Sequence, residues 1–487
     1  MSKIDILKKQ YPKFVYQGYS YKIRKKRDNS FNLEIVFNFE IYAQNINKNL
    51  VFHPKIIIQN IDKKRLATIG ERALNNFIFH IGLIEIPSYW KLTCSPVIEI
   101  NTGFLDKNQI KFYKDLIINA MGQFFYENKI NFTSQNFLKI ICSNKNWSRP
   151  GLGQIGQGRA SDKFLVLMGE GKDSIVSLEL MKKYLKQNKL NINKNINCFI
   201  VNPGKEHFEI LKIADIKNPI IIQRKIDNLL IKLNQQGFLN GHTPITAVIS
   251  NLAIFSGALF GYCNIVLSCE RSANQGNIEY LGKNINHQYS KSFEFEQNYK
   301  KYIKKYLIKD LNYFSFLRPL YEIQIAKIFS NFPKYFPVFL SCNEAKKTFS
   351  GTKKPIGKWC NNCSKCLFIF AILYPFLEKK QIIKIFKENL FEKKELLEIM
   401  KQLIGEKGTK PFECVGTINE CIIAFYLSYK KEKENQQNNL PYLLEYFEKQ
   451  ILAKHKNLNK KALTLLNSWN KQNNLSKNLS KFLKKWK

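Results

Sequence analysis

Between Phe31 and Ala43 the apolar residues fall on every second position (Leu33, Ile35, Phe37, Phe39, Ile41), which is the period of a strand with one face in a core. The run Val51 to Ile58 supplies a strand to pair with it, and helical spacing follows at about 65–80 and 107–128. From 163 the pattern changes. The apolar run Lys163 to Met168 enters the turn Gly169-Glu170-Gly171-Lys172-Asp173-Ser174, and Ile175, Leu178, Met181 and Leu185 then recur at helical spacing. Three further short apolar runs follow. Ile196 to Val201 ends in Asn202-Pro203-Gly204, and Pro219 to Ile222 ends in Gln223-Arg224. A helix from about Pro244 to Phe260 delivers Cys263 to Ser268, which ends in Cys269-Glu270-Arg271-Ser272. Alternating strands and helices predict a parallel sheet with right-handed crossovers, and ligands bind such sheets beyond the carboxyl ends of the strands. All four strands end there in polar residues or glycine, as the rim of a site requires.

Beyond 376 the chain is Lys/Glu/Leu-rich and helical. Its last segment (Leu475, Leu479, Phe482, Leu483, Trp486) is amphipathic and reads as a packed terminal helix, the other reading being a helix for a membrane surface or a partner. The expected fold class is therefore α/β. An N-terminal α+β region over 1–150, suited to substrate recognition, precedes a parallel-sheet domain over 160–375 and a helical region over 376–487. Segment 143–162, dense in Gly and Pro, reads as a linker or as a loop that closes over a site.

A length of 487 residues exceeds one hydrophobic core, which supports this division. The formal net charge of +39 points first to a polyanion, but the excess is mostly Lys and is spread along a chain rich in Asn, Ile, Tyr and Phe. Those residues have A/T-rich codons, so genome composition accounts for most of the charge, and no stable nucleic-acid partner is expected. The N-terminus lacks the apolar core of a signal peptide, and the stretch Leu252 to Ser268, broken by Gly257 and Gly261, reads as a buried helix turning into a strand. Eleven cysteines in a chain of this size suit a reducing cytoplasm.

Four constellations carry chemistry. A strand, a tight glycine turn and a helix N-terminus at 169–174 make an anion cradle, because backbone N–H groups and the helix dipole converge there. The spacing is too short for the Walker sequence, and an ordinary strand–helix turn has the same composition. Cys360, Cys363 and Cys366, with Cys342 before them, offer soft ligands at a spacing that suits tetrahedral Zn2+. Cys414 is an alternative fourth ligand, and unliganded thiols or an iron–sulfur cluster are the other readings. The third is Glu270-Arg271-Ser272-Ala273-Asn274-Gln275-Gly276-Asn277 followed by Asn286-His287-Gln288-Tyr289-Ser290-Lys291-Ser292, where donors, acceptors and an imidazole crowd a strand end. The fourth is Phe412-Glu413-Cys414-Val415-Gly416-Thr417, an acid–thiol–glycine turn ahead of a helix. His242, in Gly241-His242-Thr243-Pro244, is expected to pack or cap, with Thr243 as N-cap and Pro244 at the first helical position.

The 169–174 turn resembles the PP-loop of enzymes that cleave ATP between the α and β phosphates. Together with Ser88-Tyr89-Trp90-Lys91-Leu92-Thr93-Cys94-Ser95-Pro96, the two strings around Glu270 and His287, and Phe412 to Thr417, it resembles the bacterial UDP-N-acetylmuramoyl-L-alanyl-L-glutamate epimerase family over about residues 20–430. The cysteine pattern also resembles that of the PP-loop synthase of 7-cyano-7-deazaguanine, whose quartet holds Zn2+. One departure stands out: Gly169-Glu170-Gly171 occupies positions where a PP-loop begins Ser-Gly-Gly, so the Glu170 carboxylate must turn away or help hold Mg2+.

The resemblance implies a HUP-like PP-loop domain and an isomerase that inverts the terminal L-Glu of a nucleotide-sugar dipeptide with ATP and Mg2+, releasing AMP and diphosphate for peptidoglycan synthesis. On that reading Gly169, Gly171, Lys172, Asp173, Ser174 and Asn202 hold the nucleotide, with Lys172 neutralising the leaving diphosphate. Glu270, Arg271, Ser272, Asn274, Asn277, Tyr289, Ser290 and Lys291 orient the acyl-adenylate or the glutamate. Arg271 is the fork for a carboxylate, and His287 is the first acid–base candidate, with Cys269, Cys414 or Lys291 as the second. A PP-loop enzyme acting on a tRNA base or a deazapurine is the rival reading, and a non-enzymatic nucleic-acid-binding protein a third.

Overall fold

The computed structural model describes residues 2–44, 48–143, 151–153, 162–345, 356–435 and 439–487. Most of the expected 143–162 loop therefore lies outside the described residues. In chain order the strands are β1 (Lys13–Lys25), β2 (Phe31–Tyr42), β3 (Leu50–Phe52), β4 (Lys55–Ile61), β5 (Val97–Ile100), β6 (Lys139–Cys142), β7 (Phe164–Leu167), β8 (Ile196–Val201), β9 (Ile220–Lys225), β10 (Asn264–Leu267), β11 (Ile278–Tyr280), β12 (Lys283–Ile285) and β13 (Asn312–Ser315).

Eleven of them form one sheet, in the order β13-β10-β7-β8-β9-β4-β2-β1-β5-β6, with β3 on the side of β2. The five strands β9-β8-β7-β10-β13 run parallel, and the order turns back between β7 and β10. Two crossovers diverge at that point and leave a crevice beyond the carboxyl ends of β7 and β10, where nucleotides bind in doubly wound sheets. The parallel sheet of the expectation is present. The N-terminal strands are no separate layer, because β4 pairs antiparallel with β9 and continues the sheet into β2 and β1.

The hydrophobic pattern sets which face is buried. Leu33, Ile35, Phe37, Phe39 and Ile41 of β2 are all fully buried, as the two-residue period requires. In the parallel part both faces are covered: Leu165 and Ile265 point into one core, while Phe164, Val166 and Val266 point into the other. The first core holds the N-terminal half and the helices Glu71–Trp90, Ile245–Phe260 and Phe293–Tyr306. The second holds the helices Lys172–Gln187 and Glu322–Phe329 and the C-terminal helices, among them Ser364–Leu373 and Ile418–Glu434. The last helix, Lys477–Lys484, buries Leu479, Phe482 and Leu483, and Phe482 meets Tyr184 edge-on at 5.4 Å. Its apolar face is thus spent on the protein itself. Among the described residues no helix is long and apolar enough to cross a membrane.

Leu252 to Ser268 is a helix ending at Phe260, with Gly261 in the left-handed region (φ 74°), then β10. Its start departs from expectation by one residue: Pro244 is the N-cap and Ile245 the first helical residue, so Thr243 does not cap it. The helix Glu71–Trp90 has 17 of its 20 residues buried, so it is a central strut rather than a surface helix. At Gly82 a Cβ would come within 2.1 Å of the Tyr16 hydroxyl oxygen, so glycine is what lets the helix lie on β1. Near its end, buried Glu85 accepts two bonds from Arg224 at the end of β9, Nε to Oε1 at 2.5 Å and Nη2 to Oε2 at 2.7 Å. This fork ties the N-terminal half to the parallel sheet. Removing one member of such a buried pair typically costs about 3–5 kcal/mol. Glu85→Ala and Arg224→Ala are each expected to destabilise the chain by that order in denaturant unfolding, and the double variant to cost less than their sum.

Candidate active site

β7 runs into Gly169-Glu170-Gly171, and Gly171 is the N-cap of the Lys172–Gln187 helix. A Cβ on Gly171 would sit 2.6 Å from Ser341 Oγ, whereas one on Gly169 would meet nothing within 4 Å. The turn is thus packed on one side and open on the other. Ser174 Oγ lies 3.0 Å from the Gly169 carbonyl and 3.1 Å from that of Gly171, so its hydroxyl closes the turn from below. The Glu170 carboxylate turns aside to His207 Nδ1, 2.6 Å away, while its carbonyl accepts from the Leu340 N–H at 2.8 Å.

Lys172 is turned into the protein. Its ammonium is fully buried, bonded to Glu322 and to Asp173 Oδ1 (2.5 Å). Burial works against this charge, but Asp173 and Glu322 outweigh it and hold the pKa above the usual lysine range. The other Glu322 oxygen lies 3.6 Å from Lys365 Nζ, which also donates to the Cys414 carbonyl. Beside this network, at the end of β10, the buried Glu270 carboxylate has no hydrogen-bond or ion-pair partner among the described residues. Burial, and then Glu322 and Asp173, push its pKa up to about 7.

The strings around Glu270 and His287 meet because the β11–β12 hairpin folds one onto the other. The Asn277 N–H donates to the Ile285 carbonyl (2.7 Å), and Asn286 Nδ2 to that of Ala273 (2.8 Å). At Gly276 a Cβ would fall 1.8 Å from Asn284 Oδ1, so the hairpin base needs a glycine. The half-buried Cys414 thiol arrives from the far end of the chain. Its Sγ is 3.0 Å from Lys291 Nζ and 3.8 Å from His287 Nε2. His287 Nδ1 is 3.1 Å from Asn277 Oδ1, and Asn277 Nδ2 donates to the Pro411 carbonyl at 2.8 Å. That second bond fixes the amide, so Oδ1 is the acceptor and the imidazole proton sits on Nδ1, leaving the Nε2 lone pair toward the thiol. Burial, then Lys291 and Lys410, push the His287 pKa down to about 3, so the ring is neutral. For Lys291 burial opposes the charge, but Cys414, Glu270 and Cys269 hold its pKa above the ordinary range. A neutral base and a protonated acid thus share one sulfur. Cys269 is buried, and burial pushes its pKa up to about 11.

The remaining expected site residues spread over several tasks. Arg271 lays its guanidinium 4.4 Å from the Tyr321 ring centre. Ser272 donates to Glu420 (2.6 Å), and Asn274 Oδ1 accepts from the Phe293 N–H (2.7 Å). Tyr289 turns its hydroxyl away to Glu294 (2.9 Å), and Ser290 is buried. Asn202, exposed at the end of β8 with φ 50°, spends its amide on the backbone of Arg224. His242 lies in the same buried patch, with its ring 6.0 Å from that of His287. The Lys91 ammonium holds its loop through Asn240 Oδ1 (3.1 Å) and the Gly241 carbonyl (2.9 Å), which gives the 88–96 string a structural task.

Three residues escaped the sequence reading. Arg318 is fully buried and donates to the carbonyls of Glu270 (2.7 Å) and Lys291 (2.5 Å) and to Glu296 Oε2 (3.0 Å), so one guanidinium sets two site backbones. The signal was a lone arginine inside the apolar run Phe314 to Leu320. Glu322 and Lys365 carry no local sequence signal, because their partners lie far away along the chain.

The sulfurs of Cys342, Cys360, Cys363 and Cys366 all lie within 4.8 Å of one another, and Cys360 and Cys366 are 3.7 Å apart. A tetrahedron with Zn–S near 2.3 Å has edges of about 3.8 Å, so the donor set fits that ion. The N–H groups of Asn362 and Cys366 point at Cys360 Sγ and Cys363 Sγ, both at 3.4 Å. Cys414 belongs to the His287 centre, so Cys342 is the fourth thiol. Cys363 is also the N-cap of the Ser364–Leu373 helix. That helix start grips Glu413 through Ser364 Oγ (2.7 Å) and the Lys365 N–H (2.6 Å), which sets the neighbouring Cys414.

Comparison with known proteins shows the family. The family model described as the MurL N-terminal domain matches residues 7–316, and that of the MurL C-terminal domain matches residues 338–459. Three relatives are each named UDP-N-acetyl-alpha-D-muramoyl-L-alanyl-L-glutamate epimerase. The protein of Xanthomonas oryzae pv. oryzae is 30% identical over 69% of this chain and 70% of its own. That of Salinispora tropica is 36% identical over 75% and 74%, and that of a Micromonospora species 34% identical over 55% and 57%. No solved structure matches. With its two family models covering most of its length and a relative 36% identical over 75% of it, the chain belongs to the MurL epimerase family.

Proposed function

We propose that this protein inverts the terminal L-Glu of UDP-N-acetylmuramoyl-L-alanyl-L-glutamate, consuming ATP to AMP and diphosphate, in the cytoplasmic synthesis of peptidoglycan precursor. The observation that supports this most is the chain of contacts from the phosphate turn to the thiol centre: Lys172 to Glu322, Glu322 to Lys365, Lys365 to the Cys414 carbonyl. It supports the reading because it links the 169–174 turn to the Cys414, His287 and Lys291 cluster through direct contacts.

The chemistry needs both. A free carboxylate makes its own Cα–H a very weak acid, because the carbanion would carry a second negative charge on the same unit. Transfer of AMP to that carboxylate removes the charge and installs an electron-withdrawing ester. The neutral His287 is then the base and Lys291 the acid that work on Cα. Arg271, parked on Tyr321, is the cation free to turn to a substrate carboxylate. Lys172, in its buried position, braces the turn and shapes the field at the phosphates from behind.

Asp173 and the unpartnered Glu270 carboxylate are the residues that would hold Mg2+, which supplies charge neutralisation at the phosphate oxygens when bound. The four thiols would hold Zn2+ as a structural ion, bracing the helix start that sets Cys414.

The decisive assay offers purified protein ATP, Mg2+ and UDP-N-acetylmuramoyl-L-alanyl-L-glutamate, with tRNA in a parallel arm. Expected are AMP, diphosphate and D-Glu on chiral analysis in the first arm and none in the second. ADP, or retained configuration, would overturn the reading. Glu270→Gln removes a desolvated charge that faces Glu322 and Asp173, so its thermal midpoint is expected to hold or rise while AMP formation falls by about a hundredfold or more. Elemental analysis is expected to find one zinc per chain in the wild type and none in Cys363→Ser, which melts lower and turns over more slowly.

A further inference from the structure

The arrangement Cys414–His287–Asn277 is that of an activated nucleophile: thiol, imidazole with its lone pair toward the thiol, and an amide that fixes the ring. We propose that Cys414 takes over the acyl group from the adenylate and that the glutamyl centre is inverted as a thioester on this cysteine. The inference rests on the adenylation reading and names the species on which that site works.

Distance separates this from the alternative in which Cys414 and His287 serve opposite faces of the carbon. Reacting atoms approach to about 3–3.5 Å, so two groups flanking one Cα must stand about 6–7 Å apart. Cys414 Sγ and His287 Nε2 are 3.8 Å apart, and nothing as wide as a substituted carbon fits between them. They act as one unit, with Lys291 at 3.0 Å on the same sulfur. His287 and Lys291, each in contact with this sulfur, remain as the pair for the two faces. Cys414 is also joined to the phosphate turn: its carbonyl is held by Lys365, whose ammonium reaches Glu322 and so Lys172.

The steps balance. His287 Nε2 takes the thiol proton as sulfur forms its bond to the acyl carbon; the carbon–oxygen bond to AMP breaks, AMP leaves with that electron pair, and the imidazolium returns its proton to solvent. His287 then removes the Cα proton, the negative charge passing to the thioester oxygen, and Lys291 delivers a proton to the other face. Proton exchange with solvent restores the neutral imidazole and the ammonium. Water next adds to the acyl carbon and the carbon–sulfur bond breaks. One water proton returns to the sulfur, the other is released, and the product is the carboxylate. A thioester keeps the adjacent C–H acidic, because sulfur donates less electron density to the carbonyl than the oxygen of a simple ester does, and it tethers the acyl group beside His287 and Lys291.

The test quenches wild-type protein in acid during turnover with ATP, Mg2+ and the L-Glu precursor, and reads intact mass. The expected result is an adduct of precursor minus water, mapped to Cys414 and discharged by neutral hydroxylamine. Cys414→Ser and Cys414→Ala are expected to keep single-turnover diphosphate release within about tenfold of wild type, to form no such thioester, and to lose inversion by at least a thousandfold. Retained diphosphate release also shows that the variants fold. If Cys414→Ala inverts within about tenfold of wild type, or if wild type releases diphosphate and inverts with no adduct at any quench time, the thioester is refuted and adenylation stands. If wild type releases no diphosphate, the adenylation reading falls and the thioester falls with it.

Discussion

A charged amine with no exposure to water persists only if its partners repay the lost hydration, and Lys172 meets that demand with Asp173 beside it and Glu322 across the second core. The pairing joins three parts of the chain. It anchors the helix that opens at the 169–174 turn, holds the start of the Glu322–Phe329 helix against it, and through Lys365 reaches the helix that begins at the cysteine quartet. Loss of either carboxylate would leave the buried ammonium with half its compensation, so the geometry of the turn and that of the thiol loop are coupled through one network.

A second buried cation does the same for the other side of the site. The Arg318 guanidinium distributes its donors over the backbones of Glu270 and Lys291 and the Glu296 carboxylate. The backbones that carry the Glu270 carboxylate and the Lys291 amine are therefore referred to one rigid plane. The planar fork suits this task, because its five donors point in fixed, spread directions.

Much of this was legible in the chain, and the gaps have physical causes. The parallel strands showed because each is a short apolar run that stops at polar residues, and the β2 alternation showed because one face of that strand is wholly buried. β1 did not show: a bulge between Tyr16 and Gly18 shifts its register, so its two-residue period slips halfway along. β13 is four residues inside a longer apolar run, where period cannot separate strand from helix. The long helix was read only to about 80, and its true end lies beyond Pro87, one turn from its terminus. At the site, the strings were legible because several functional residues sit close together in sequence. The links among them were not, since Glu322, Lys365 and Arg318 act on partners dozens to hundreds of positions away.

The ladder between β4 and β9 has one more implication. Because a continuous sheet runs through both halves, there is no hinge about which they could open like a clamshell. Any such rotation would tear main-chain hydrogen bonds in the middle of the molecule. Any ligand at the carboxyl rim would therefore be admitted by local rearrangement of the loops there rather than by closure of one half on the other.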